Sequence, residues 1–136
     1  MITKAEIAAL WLAACPSFAP AYEESCAAYE DDRLYTHAGA FARHLLRLHR
    51  SARREEFPAV AGFIERLHTE GDPYTREFAT IGILEGIQNV WSHTDVSPEE
   101  FLPFLQPVSA ASWHCLNQFW AGQIPSVPDP TRDIPL

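Results

Sequence analysis

Apolar positions along this chain recur at spacings of three and four rather than two, so the pattern predicts helix from end to end. Thr3-Lys4-Ala5-Glu6 has the form of a capping box, and Ile7, Leu10 and Trp11 give a first helix its inward face to about Ala14. Pro16 ends that helix, because proline lacks the amide donor and disfavours helix at the residue before it. A second helix opens at Ser17 or Ala19, with Tyr22, Cys26 and Tyr29 as its inward stripe, and stops in Glu30-Asp31-Asp32-Arg33. The third runs from Tyr35 or Thr36 to about Arg50. It turns Phe41, Leu45 and Leu48 inward and Arg43, Arg47, Arg50 and, if it extends so far, Arg54 outward. A fourth starts near Glu55, buries Phe57, Val60, Ile64 and Leu67, and closes at Gly71, read as a helix-ending glycine.

Asp72-Pro73 is a strong start signal, an N-cap oxygen followed by proline in the first turn. The helix it opens, about 73–92, carries Phe78, Ile81, Ile83, Leu84, Ile87, Val90 and Trp91 over most of its circumference, which marks a central helix packed on several sides. Gly82 and Gly86, four apart, are expected to share a face and admit a neighbouring helix. The polar remainder is ordered: Glu85, Gln88, Asn89 and Ser92 form one narrow strip. Ser97-Pro98-Glu99-Glu100 opens a short helix to about Leu105, and Pro107 opens the last, with Trp113, Leu116, Phe119 and Trp120 inward and Gly122 beyond its end. The expected fold is all-α, a single-domain bundle of six or seven helices over residues 1–122 around the central helix, then a Pro-rich extended tail over 123–136.

Composition narrows this picture. A length of 136 residues at 47% hydrophobic content suits one domain with one core. No apolar run approaches the roughly 20 residues that span a bilayer. The run Ile7 to Cys15 lacks the basic lead and cleavage site of a secretion signal, so a cytoplasmic protein is the default expectation. Cys15, Cys26 and Cys115 are odd in number and show no CxxC spacing, which argues against a disulfide framework or structural zinc. The net charge of −8 is unevenly laid out, with −5 in residues 1–32, +3 in 33–76 and −6 in 77–136. A fold that gathers the outer segments presents a negative face, which repels nucleic acid and attracts basic proteins.

Candidate chemistry is sparse. Glu65-x-x-His68 has a spacing used in metal-binding helical bundles, yet those sites need the motif twice and it occurs once. His37 and His44 are two turns apart, about 10 Å by helix rise, too far to share an ion unaided. No metal and no cofactor is therefore expected. Residues 43–54 hold five arginines, but net acidity and the following Glu55-Glu56 favour a solvated face paired with acidic neighbours over a nucleic-acid site. The common nucleotide, zinc-protease and hydrolase motifs do not occur.

The anchors Ile2 to Glu6, Pro16, Phe18, Tyr22-Glu23, Leu34-Tyr35, Gly39, Phe41, Phe63 to Leu67, Gly71-Asp72, Leu84-Glu85 and Ile87 resemble an uncharacterised family of small bacterial all-helical domains. The resemblance spans roughly residues 1–92 and departs from the family's pattern over 93–122. It implies one helical unit with no catalytic residues to carry over, and some members resemble small acidic immunity proteins encoded near bacterial toxins.

The leading expectation is thus a non-enzymatic module that binds a protein, with a basic one as the candidate partner, through Glu85, Gln88, Asn89 and Ser92, with toxin immunity as its concrete version. A rival is a small-ligand binder or enzyme with a pocket beside Trp91, Trp113 and Trp120, and His93 or His114 as proton carrier. A third reading is a homodimer through the aromatic last helix. Neither nucleic acid nor a membrane is an expected partner.

Overall fold

The structure is a computed structural model that describes residues 1–127. Among these residues seven α-helices follow one another: α1 (Lys4–Ala14), α2 (Ala19–Ala28), α3 (Leu34–Arg50), α4 (Phe57–Glu70), α5 (Pro73–Glu77), α6 (Glu85–Ser92) and α7 (Pro107–Trp120). Among the described residues there is no strand, and no helix is long and apolar enough to cross a membrane. Residues 123–127 are non-helical, while 128–136, most of the expected tail, lie outside the described residues.

The helix starts obey the local chemistry. The Glu6 carboxylate reaches back to accept from the Thr3 amide at 3.0 Å, and Asp72 accepts from the Thr75 amide at 2.9 Å. Two helix ends close with paired reverse hydrogen bonds. After α7, Gly122 donates to Phe119 and Gln123 to Gln118, with Gly122 at φ +75°. After α3, Ala52 donates to His49 and Arg53 to Leu48, but here an alanine holds the left-handed position at φ 57°. A Cβ in that region costs roughly 1 kcal/mol. Ala52→Gly is accordingly expected to raise the unfolding midpoint by a few degrees in a calorimetric scan, and an unchanged or lowered midpoint would refute that account.

The central rod is continuous but not uniform. Between α5 and α6, residues Phe78–Leu84 form a π-helical segment, a wide turn that the periodicity of the sequence does not announce. Ile83 is 1% exposed and Ile87 0%, so the rod does occupy the middle of the bundle. It lies on α3 along one side, with α4 and α7 on others. Gly82 and Gly86 do not act as a pair. A Cβ on Gly82 would sit 2.6 Å from the Phe78 ring of the same segment, whereas one on Gly86 would meet only the Ala38 carbonyl of α3, at an ordinary 3.7 Å.

The core is aromatic. Trp11 has ring neighbours in Phe18, Phe41, Phe78, Tyr22 and Phe63, with centroids between 5.3 and 6.3 Å. Phe57, Trp91, Phe101 and Phe104 make a second group where α4 and α6 meet the loop before α7.

Several expectations change in detail. Tyr29 lies beyond α2 and is exposed, and the buried member of that helix is Ser25, drawn inward by a hydrogen bond to His37. The helix expected at 98–105 is two short 3-10 turns, Pro98–Glu100 and Leu102–Phe104, because Pro103 withholds an amide from a longer α ladder. Trp120 faces outward rather than inward. Gly71 ends α4 in extended backbone (φ −82°) rather than in the left-handed region.

Candidate functional site

Most of the buried polar side chains gather around three histidines. On α4, His68 is fully buried, with Thr80 Oγ1 at 2.9 Å from Nε2 and Ser109 Oγ at 3.1 Å from Nδ1. Ser109 donates to Glu65 at 2.8 Å, so its oxygen accepts from His68 Nδ1–H, and Thr80 donates to the opposite ring nitrogen. Ser112 lies 2.7 Å beyond Thr80. The result is a chain of hydrogen bonds that ends on the Glu65 carboxylate, which also accepts from the Val108 and Ser109 amides and so caps α7. Glu65 and His68, weighed from the sequence as half a metal motif, instead join α4, the π segment and α7. Ser109 and Ser112 are 0% exposed, so no substrate reaches these hydroxyls. The signal that points to this network is a pair of hydroxyls, three apart, on the apolar face of α7.

The other histidine clusters are also structural. His37 donates from Nε2 to the Glu30 carbonyl and accepts from Ser25 at 2.6 Å, holding α2 on α3. His44 accepts from Arg47 and donates to Ser17, and burial with the neighbouring guanidinium lowers its pKa. Burial pushes the nearby Cys15 thiol up to about 11, leaving it protonated and a poor nucleophile. Among the described residues, no three His, Cys, Asp or Glu side chains gather as metal ligands do.

The arginine-rich stretch is partly engaged within the fold. Arg50 pairs with Asp95, His49 with Glu100 at 2.8 Å, and Arg54 turns back onto the His49 ring and carbonyl.

The residues of the imagined Trp/His pocket do not assemble. Trp91 and Trp113 are fully buried, their indole N–H groups donating to the Ala42 carbonyl and to Glu99. His93 is exposed and bonds the Asn89 carbonyl, and His114 is exposed on α7. With Trp113 inside, α7 offers an apolar exterior of Phe119 and Trp120 rather than three aromatic residues.

The polar strip of α6 divides between two settings. Gln88, Asn89 and Ser92 line a recess of about 300 Å³, completed by Pro98, Asn117 and Trp120. Glu85 sits at the other end, toward Tyr35 of α3. There Tyr35 donates to Glu77 at 3.3 Å, and Glu77 and Glu85 both add to the burial that holds the Tyr35 hydroxyl well above its usual pKa. Tyr74 is raised by burial too, with Glu77 and Asp32 adding to it, and burial raises Glu85 itself. Three carboxylates, Asp32, Glu77 and Glu85, thus lie within electrostatic reach of one or other of these two tyrosines.

A family model described as a domain of unknown function, DUF7674, matches residues 8–121, from within α1 to just past α7. The chain belongs to DUF7674. The family's extent corrects the expectation that residues 93–122 stand outside the shared pattern: the 3-10 turns and α7 of this DUF7674 chain lie within the match. Neither the curated proteins nor the solved structures gave a match.

Proposed function

We propose that this DUF7674 chain is a non-enzymatic protein-binding module whose partner presents a basic surface. The observation that carries the reading is the Tyr35–Tyr74 ring pair, 6.3 Å apart, with Glu77 bonded to the Tyr35 hydroxyl, Glu85 within electrostatic reach of Tyr35 and Asp32 of Tyr74. Carboxylates clustered around aromatic rings attract an ammonium or guanidinium by charge and by the ring quadrupole together. The chain supplies a small example itself, since Lys4 Nζ stands 5.3 Å over the Tyr74 ring. The networks at His37 and His68 are buried, and in the more open Ser17–His44 pair the ring donates to the hydroxyl while its other nitrogen accepts from Arg47, so it does not act as a base toward Ser17, which favours binding over catalysis. The concrete form, an immunity protein that covers a basic toxin surface, draws on the resemblance to small acidic immunity proteins.

A pull-down at moderate salt from the native host, run in parallel with an Asp32→Asn, Glu77→Gln, Glu85→Gln variant, tests it. The wild-type chain should recover a basic protein, and the neutralised variant about tenfold less of it. Equal recovery by both, or no stable partner for either, removes the reading. Where a partner is recovered, co-expression that restores growth to cells making it supports immunity.

A further inference from the structure

We infer that the recess between α6 and α7 is a binding site for an uncharged saccharide, independent of the carboxylates near Tyr35 and Tyr74. Its six lining residues, Gln88, Asn89, Ser92, Pro98, Asn117 and Trp120, include three carboxamides, one hydroxyl and an indole, and none is charged. Trp120 is the one tryptophan left in solvent, 59% exposed, while Trp11, Trp91 and Trp113 are fully buried. An indole face packs against the C–H face of a sugar ring, and carboxamides, which donate and accept at once, match sugar hydroxyls that do the same. A lining without charge gives a phosphate or carboxylate no counter-ion to offset its desolvation.

The second observation is an acceptor without a donor. Gln88 lines the recess at only 6% exposure, and its Oε1 has no hydrogen-bond partner. Its orientation is fixed by a chain of contacts. Glu99 accepts from Asn117 Nδ2 at 3.0 Å, so Asn117 presents Oδ1 to Gln88 Nε2 at 3.1 Å, with the Trp113 carbonyl at 3.4 Å. Turning the Gln88 amide over would set its oxygen against two acceptors, so Oε1 stays unsatisfied. A buried acceptor of this kind costs about 1–3 kcal/mol; Oε1 is closed to solvent, so a ligand hydroxyl reaches it, and recovers part of that cost, only as the recess opens beside Gln88. The volume suits one ring or a disaccharide end, at the small limit of ligand sites.

Acrylamide quenching of intrinsic fluorescence reports the site, because the three other indoles are shielded. Titration of the wild-type chain with cellobiose and with N,N′-diacetylchitobiose should protect Trp120 saturably by roughly 50 mM, the millimolar range of a shallow site. Glucose 6-phosphate should protect at least tenfold less well. Trp120→Ala should abolish ligand-dependent chemical shifts at the Asn89 and Asn117 side-chain amides, and Trp120→Phe should restore part of them, with the fold checked by circular dichroism. No saturable protection by either neutral disaccharide overturns the inference. So does equal or tighter binding of glucose 6-phosphate, or protection only by an uncharged proline-rich peptide, which would make the recess a peptide groove.

Discussion

Gly71→Ala should lower the thermal unfolding midpoint by roughly 10–15 °C, corresponding to about 3–5 kcal/mol for a chain of this size. The backbone angles at Gly71 suit any residue, so the cost is one of space. A Cβ there would stand 2.3 Å from the Leu67 carbonyl oxygen and 2.7 Å from Thr75 Cγ2. Thr75 is itself fully buried, so the turn between α4 and α5 has little room to give. The same turn receives the first residues of the chain, Ile2 donating to the Glu70 carbonyl and accepting from the Asp72 amide. Displacing it therefore detaches the start of α1 as well as opening the corner. Gly86→Ala is the control. Its new methyl would meet only an ordinary contact, and the gain in helix propensity, up to about 1 kcal/mol, should leave stability level or slightly higher. A Gly71→Ala midpoint within 3 °C of wild type would show that the turn relaxes freely, contrary to this account.

Trp11→Ala should cost a similar 3–5 kcal/mol, for a different reason. Five aromatic rings from α2, α3, α4, the π segment and the turn before α2 meet at this side chain. No one of them can fill the void without leaving its own contacts. The substitution should also broaden the near-ultraviolet dichroism of the whole cluster. Trp11→Phe makes the informative comparison. The indole N–H is buried without a partner, so phenylalanine removes an unsatisfied donor while keeping most of the area, and about 1–2 kcal/mol is expected. Chemical denaturation of both variants decides it: equal losses would mean that ring volume at this position matters little.

The sequence makes the helices legible because proline, capping oxygens and apolar spacing act locally. Asp72-Pro73 and Pro107 start helices as written, and Phe57, Val60, Ile64 and Leu67 all point inward. What local rules miss is decided by partners distant in the chain. Ser25 is buried because His37, twelve residues on, takes its hydrogen bond. The hydroxyls of Ser109 and Ser112 make sense only against His68 and Thr80. The strip on α6 is legible as polar, but its division is not: Gln88 is covered by α7, whereas Glu85 belongs with Tyr35 of α3. Trp120 deceived for a similar reason, since the period that places Trp113 and Leu116 inside carries the last turn of α7 past the edge of the bundle.

The wide turn at Phe78–Leu84 bears on how this chain is compared with its kin. Both ends of the rod are held by packing against other helices, so an extra residue between them can be absorbed only by a broader coil. Lining this chain up with a relative whose rod is wound evenly therefore calls for a gap in mid-helix, where alignment practice least expects one. A gap pushed out to the nearest loop would mispair every position from Glu85 to Ser92, the strip and the recess included.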